Sequence, residues 1–256
     1  MSAAESVKAL RDAIEGLYTA FSHYPLRPHV EGCPCCVETS DQETIRARPL
    51  RKLTGQDLEK YAFKAVTTWG SEADWKHFLP RLFELLASGP MDWDIPEEII
   101  IGKLDVSAWY YWPAPEREAV TAYLMALWQA ALSSYPCFMH SDIHWACVGE
   151  VDACLCSIGQ AVRQMTPFLE VWEGDESAPA LRHLAKFIYE NAGTLGKRRA
   201  LSNAFWKGRA VQMRQVVDWL LSPRRAATLE EAFFRYSDEP FAGEFSTAVD
   251  QLRQIS

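Results

Sequence analysis

The fold class is decided by residues 54–90, which read TGQDLEKYAFKAVTTWGSEADWKHFLPRLFELLASGP. Apolar side chains recur at helical spacing on both sides of Gly70, which predicts two amphipathic helices. Thr54 and Ser71 stand where helix N-caps are needed, and Gly70 is expected to end the first helix. The stretch therefore predicts an antiparallel helical hairpin.

The same helical pattern extends in both directions from this hairpin. Ser2 and Glu5 form the signature of a capping box, and an Ala- and Leu-rich helix is expected across 115–132. Further on, Gly193 is expected to close one helix and Thr228 to begin another. Because alternating strand patterns are nearly absent, we expect an all-α protein.

The succession of helices predicts consecutive helical hairpins, arranged either as a HEAT-like stack or as an irregular bundle. The chain has 256 residues, near the upper limit for one hydrophobic core, so residues 1–256 are expected to form a single all-helical domain. The exception is an irregular loop at about 25–53, where prolines interrupt any long element. Such loops are usually functional or held by a ligand.

The composition is that of a globular protein, with 48% hydrophobic and 23% charged residues. No stretch approaches the roughly 18 apolar residues that a bilayer-spanning helix needs. The N-terminus, MSAAESVK, lacks the basic start and apolar run of a secretory signal. These features predict a cytoplasmic protein with no membrane partner.

The charge is negative overall and unevenly distributed. A net charge of −8 argues against general nucleic-acid binding, which depends on clustered Lys and Arg. Residues 182–235 are basic, with eleven Lys or Arg against four Asp or Glu. The acidic residues are densest at Asp92, Asp94, Glu97 and Glu98. Opposite poles are typical of electrostatic steering of a charged partner, although an uneven solvated surface gives the same pattern.

The irregular loop carries a candidate metal site. Cys33 and Cys36 form a C-x-x-C half-site, and Cys35 and His29 are further candidate ligands. Zinc binds four such thiolates or imidazoles, and it would also hold the loop in place. Two alternatives stay open: inert structural thiols, and a redox C-x-x-C, which normally needs a thioredoxin-like strand-to-helix context.

A second group of metal-capable residues falls later in the chain, at Cys137, His140, His144, Cys147, Cys154 and Cys156. On a helix, His140, His144 and Cys147 would share one face, which is competent metal geometry. A zinc protease of the H-E-x-x-H type is excluded because Ser141 follows the first histidine. The alternative is that these cysteines are small core residues.

Two further stretches of the sequence resemble functional motifs. The run from Gly193 to Arg198 lacks the spacing and the Ser or Thr of a phosphate-binding P-loop, so its basic residues are expected to be solvated surface. The aromatic run Trp109, Tyr110, Tyr111, Trp112 follows the acidic stretch that holds Trp93. Four consecutive aromatics cannot all face one core, so at least one is expected to be exposed.

Exposed aromatics beside acidic residues are typical of protein-binding hot spots, while irregular core packing is the alternative.

One segment resembles a known group of proteins. The stretches Tyr61–Gly70 and Lys76–Arg81, preceded by Cys33-Pro34-Cys35-Cys36, are similar to a pattern shared by uncharacterised bacterial proteins. The resemblance covers residues 30–86. It implies a bacterial source, and it implies no known activity and no catalytic residue.

The leading functional hypothesis is a non-enzymatic protein-interaction module, in concrete form a bacterial immunity or adaptor protein that binds and blocks a basic partner. It depends on the aromatic–acidic stretch and on the lack of strong catalytic motifs. The alternative is a zinc-binding metalloprotein, an enzyme included, that uses Cys33, Cys35 and Cys36. A small-ligand binder with an aromatic-lined pocket between helices is the third hypothesis.

Overall fold

The computed structural model describes residues 1–88, 94–135 and 151–255. It confirms the all-α prediction: 71% of the described residues are helical, and no strand occurs among them beyond isolated bridges. No helix in the described ranges is long and apolar enough to cross a membrane.

Twelve α-helices and three short 3-10 turns make up the described structure. The α-helices are α1 Ala3–Ala20, α2 Thr39–Thr44, α3 Gly55–Lys64, α4 Glu72–Ala87, α5 Glu97–Val106, α6 Ala114–Leu132, α7 Val151–Ala161, α8 Thr166–Gly174, α9 Ala178–Arg198, α10 Ala210–Leu220, α11 Pro223–Arg235 and α12 Ala242–Ile255. The 3-10 turns are Leu50–Lys52, Trp109–Tyr111 and Ala204–Trp206.

Three of the predicted N-caps are confirmed, at Ser2, Thr54 and Ser71. At each, the hydroxyl accepts a hydrogen bond from the backbone N–H three residues on, and that residue's carboxylate accepts one in return from the cap's N–H. These bonds satisfy orphan donors of the first turn. Because the chemistry is local, the sequence was sufficient to place these three helix starts.

Three predicted boundaries were wrong. Helix α3 ends at Lys64 rather than near Gly70, since Val66 lies in the left-handed region with φ 53°. Helix α9 continues through Gly193 to Arg198, so that glycine is not a cap. Helix α11 begins at Pro223, and the Thr228 hydroxyl donates back to the Arg224 carbonyl from inside the helix.

Helices that are distant in the chain pack together. Helix α1 lies against α6 and α4, α5 lies against α7, and α9 lies against α12, which also packs on α11. The buried side chains of these helices form one hydrophobic cluster, in which Trp69, Trp75, Trp128 and Trp206 are the largest fully buried members. The arrangement is a helical bundle in which sequence neighbours such as α11 and α12 pair locally while α1 and α6 pair at long range. The single-domain assignment stays a prediction.

Candidate metal centre and candidate docking segment

The cysteine loop is anchored on the connection between α3 and α4. The Cys33 N–H donates to the Thr68 carbonyl at 2.8 Å, and the Gly70 N–H donates to the Glu31 carbonyl at 2.7 Å. Between them lies Gly32, where a Cβ atom would come 3.1 Å from Cδ1 of Trp69 and 2.8 Å from Val37. A side chain at this position would therefore displace Val37 and press on the buried Trp69 ring, so the close packing of the loop favours glycine.

A side chain on α2 holds the segment before the cysteines. The Gln42 amide donates to the Val30 carbonyl at 2.6 Å and accepts from the Val30 N–H at 3.3 Å. Val30 itself is fully buried. The loop is thus fixed by backbone and amide hydrogen bonds on both sides, independently of anything bound to the sulfur atoms.

The three thiols of the loop converge. The turn is closed by bonds from the Cys36 and Val37 N–H groups to the Cys33 carbonyl, at 2.8 and 3.0 Å. Cys33 Sγ lies 2.9 Å from Cys35 Sγ, which lies 3.4 Å from Cys36 Sγ. All three sulfur atoms lie within 4.8 Å of one another, and Cys35 is exposed. This is the convergence that a shared metal ion requires.

The local hydrogen bonds make the three sulfur atoms electrostatically unequal. The pKa of Cys33 is lowered because its sulfur accepts from the Cys35 thiol and from the Cys35 backbone N–H, and because Lys64 is positively charged nearby. The pKa of Cys35 is raised to about 11, chiefly because its thiol bonds to the Cys33 and Cys36 sulfur atoms. Cys33 therefore forms the thiolate more readily than Cys35, and thiolate is the form that binds metal.

The other predicted ligand, His29, does not join this cluster. Among the His, Cys, Asp and Glu side chains of the described ranges, the group of three or more ligand atoms within 4.8 Å consists of Cys33, Cys35 and Cys36. His29 is exposed and lines a cleft of about 300 Å³ with Pro34 and Val37. The structure therefore supplies three convergent protein ligands.

The second predicted group is mostly outside the described residues, which exclude Cys137, His140, His144 and Cys147. Its described members, Cys154 and Cys156, are buried on α7. Burial, together with the charges of Glu98 and Asp152, raises the pKa of Cys156 well above its ordinary value. That thiol is protonated at neutral pH.

The aromatic run forms a 3-10 turn whose tryptophans are structural. Trp109 Nε1 and the Tyr110 hydroxyl both donate to the Ala161 carbonyl, at 2.9 and 2.7 Å. Trp112 Nε1 donates to the Ser107 carbonyl at 3.1 Å, and both tryptophans are buried. Tyr111 is 81% exposed, which confirms the expectation that at least one aromatic of the four faces solvent.

The acidic residues predicted for docking are placed unequally. Asp92 and Trp93 lie outside the described residues, and Asp94 is exposed. Glu98 is only 6% exposed and accepts from Asn203 Nδ2 at 2.9 Å. Glu97 Oε1 is buried without a hydrogen-bond partner in the described structure, and burial with the Glu98 charge raises its pKa to about 7. Two of the four acids thus point inward rather than forming an exposed face.

Sequence reasoning missed the residues that shape the thiol loop, namely Thr68, Gln42 and Lys64. Thr68 was placed inside a helix, and Gln42 and Lys64 resemble ordinary surface residues. Their roles follow from the contact of the loop with α2 and α3, which no local pattern records.

No family model, no curated protein and no solved structure gives a significant match to this chain. Inference about function therefore depends on the geometry of the chain's own residues.

Proposed function

We propose that this chain binds a thiophilic metal ion, zinc in the first place, through Cys33, Cys35 and Cys36. The observation that carries the proposal is the convergence of the three Sγ atoms within 4.8 Å of one another. Thiolates are the ligands that zinc and other soft ions select in proteins.

Three features of the loop favour metal binding over inert thiols. Hydrogen bonds to Thr68 and Gln42 already hold its backbone, so the loop loses little conformational entropy when a metal binds. The Cys35 N–H group donates to the Cys33 sulfur and stabilises the thiolate before the ion arrives. Free structural cysteines are typically buried in apolar surroundings, whereas Cys35 is exposed.

The number of ligands indicates the kind of site. Structural zinc sites have four protein ligands, while three protein ligands leave one position for water or an incoming group. With three sulfur ligands on an exposed loop, the fourth position faces solvent. The proposal is therefore an exchangeable surface site rather than a closed structural one.

The test is the metal content of the purified full chain, measured by elemental mass spectrometry after reconstitution with zinc and removal of loosely bound ions. We expect one zinc per chain in the native sequence and its loss in Cys33→Ser. Cys156→Ala removes a thiol of α7 outside the cluster and is the matched control, which should retain the metal. Zinc binding should also weaken as pH falls, because protons compete for the thiolates.

Two results would contradict the proposal. One is a native chain that takes up no zinc, and the other is a Cys33→Ser, Cys36→Ser double variant that keeps it. His29→Ala should leave the zinc content unchanged because His29 lies outside the sulfur cluster. A loss of zinc in that variant would indicate that His29 is a fourth ligand and that the site is four-coordinate and closed.

A second candidate function is protein interaction, in the concrete form of a bacterial immunity or adaptor protein that blocks a basic partner. Tyr111 favours it: this side chain is 81% exposed between two buried tryptophans whose N–H groups are hydrogen-bonded. A rigidly presented aromatic is the usual core of a protein-binding hot spot. Asp94 supplies an exposed negative charge, which fits a basic protein partner.

A photo-crosslinking amino acid at position 111 tests this candidate in cells of the native source. Phe234, which is 75% exposed on α11, is the matched control position. A basic protein crosslinked from position 111 and not from 234, with binding lost in Tyr111→Ala, supports the interaction. Equal crosslinking from both positions would indicate nonspecific contact and count against it.

A further inference from the structure

The basic part of the chain contains a cleft that none of the functions above uses. It lies where the C-terminal end of α9 meets α10, and its volume is about 540 Å³. Its charged lining residues are Arg198, Arg199, Arg214 and Asp218, and its apolar lining includes Met213 and Val217. Three cations against one carboxylate make the cleft positive in a protein whose net charge is −8.

The arginines of this cleft differ from the others in the molecule. All seventeen arginines of the sequence lie in described residues, and fourteen of them have an ion pair, hydrogen bond, ring contact or electrostatic partner. The three without a side-chain partner in the described structure are Arg198, Arg199 and Arg214. The unpartnered guanidinium groups are thus all concentrated in one cleft.

Helix electrostatics explains part of this arrangement. Cations in the last turn of α9 are favoured by the negative end of its dipole, which accounts for Lys197 and Arg198. Arg214 lies in the middle of α10, where the helix dipole gives a cation no such stabilisation. Arg199 adopts the left-handed conformation with φ 47°, which is uncommon for a long side chain.

The start of α10 borders the same cleft. Its N-cap, Arg209, makes no side-chain capping bond, and its first residue, Ala210, lines the cleft. Uncapped N–H groups at a helix N-terminus are suited to anions, and guanidinium groups are suited to the paired oxygens of phosphate.

From these observations we infer that the cleft binds a small molecule that carries a phosphate group on a hydroxylated body, the chemistry shared by nucleotides and sugar phosphates. Arg198, Arg199 and Arg214 bind the phosphate oxygens. Asp218, which would repel a bare anion, accepts hydrogen bonds from the hydroxyl groups. Met213 and Val217 form an apolar floor, and the volume lies within the usual range for ligand pockets, roughly 300–1,000 Å³.

Isothermal titration calorimetry of the full chain tests the inference with four probes: ADP, glucose 6-phosphate, inorganic pyrophosphate and adenosine. We expect binding of ADP or the sugar phosphate and none of adenosine. The probe that binds more tightly distinguishes a nucleotide site from a sugar-phosphate site. Arg214→Gln should weaken the affinity about tenfold or more, since a charge-assisted hydrogen bond is lost.

Lys197→Gln is the matched control, because Lys197 is exposed on the same helix end, carries the same charge and does not line the cleft. The affinity of this variant should stay within about twofold of the native value, since Lys197 does not line the cleft and contributes only a screened, longer-range attraction. Equal weakening in the two variants would show a diffuse charge effect and overturn the site. So would failure of both ADP and glucose 6-phosphate to bind at about 1 mM, or binding of pyrophosphate alone.

Asp218→Ala tests the proposed contact with the ligand's hydroxyl groups, because it should affect the affinities for pyrophosphate and for a hydroxylated ligand differently. Pyrophosphate should bind more tightly to this variant, because a repelling carboxylate is gone. The hydroxylated ligand should gain nothing or bind more weakly, because an acceptor is gone. Equal tightening of both ligands would overturn the assignment of a hydroxylated ligand.

Discussion

Two regions of this protein bury charged side chains, but with different partners. Where α4 meets α6, Lys76 Nζ lies 2.9 Å from Glu116 Oε2, and both side chains are almost fully buried. At the start of α5, Glu97 and Glu98 are turned inward without a lysine or arginine bonded to them in the described structure. The first region is a neutralised pair and the second is an accumulation of like charge.

The difference shows in how each carboxylate is compensated. Glu116 Oε1 accepts from the Tyr24 hydroxyl at 2.7 Å, and Lys76 also pairs with Glu72 and lies over the Trp112 ring. Burial alone would lower the pKa of Lys76, but the bonds to Glu72, Glu116 and Tyr24 together raise it. Glu97 has no such cation among the described residues, and burial together with the Glu98 charge raises its pKa instead. Buried charge is therefore stable in one region and titratable in the other.

The largest effect is expected from breaking the pair. Lys76→Met leaves Glu116 buried without its cation, which should lower the free energy of unfolding by about 3–5 kcal/mol. The double variant Lys76→Met, Glu116→Leu should recover much of this loss, because no charge remains to be desolvated. Denaturant unfolding of the three chains measures both steps, and a double variant no more stable than the single one would contradict the comparison.

The second-largest effect is a pH-dependent gain in stability when the Glu97 charge at the start of α5 is removed. The pKa of Glu97 is about 7 in the folded protein against 4.5 ordinarily, so the folded state holds its proton longer than the unfolded state. Stability from this group falls as pH rises from 4.5 to 7, and the full penalty is present above 7. Glu97→Gln should stabilise the protein by up to about 3 kcal/mol at alkaline pH and leave it unchanged near pH 4.

The matched control for that experiment is Glu43→Gln, which neutralises an exposed carboxyl on α2. Thermal unfolding at two pH values compares each variant with the native chain. A gain in Glu97→Gln that is the same at both pH values would show that the carboxyl is not titrating.

These interior charges mark the limit of what the sequence predicts. Helix starts at Ser2, Thr54 and Ser71 followed from cap chemistry, which acts within one turn. The continuation of α9 through Gly193 did not follow, because burial of Asn191 and Leu195 on either side outweighs the roughly 1 kcal/mol that glycine costs in a helix.

The candidate sites show the same difference between local contacts, which the sequence predicts, and long-range contacts, which it does not. Cys33, Cys35 and Cys36 are within four positions, so their convergence was predictable, whereas the position of His29 depends on the path of the loop. Glu98 was expected on an acidic surface because charged residues are usually exposed, and its burial depends on Asn203, which is distant in the chain. The arginine cleft combines residues of α9 and α10, and the sequence alone indicated only a solvated basic run.

The smallest effect is expected from substituting a second buried lysine, Lys103. Comparing it with Lys76 separates the loss of a buried lysine side chain from the loss caused by leaving a carboxylate unpaired. Lys103 is 6% exposed and Lys76 is 3% exposed, but Lys103 Nζ donates to the Phe63 carbonyl at 2.7 Å, a neutral acceptor. Burial lowers its pKa. Lys103→Met leaves only that carbonyl unsatisfied, so the free energy of unfolding should fall by about 1–2 kcal/mol. If Lys103→Met cost as much as Lys76→Met in the same denaturant titration, the loss in Lys76→Met would come from packing of the lysine stem, and the unpaired Glu116 carboxylate would not be its cause.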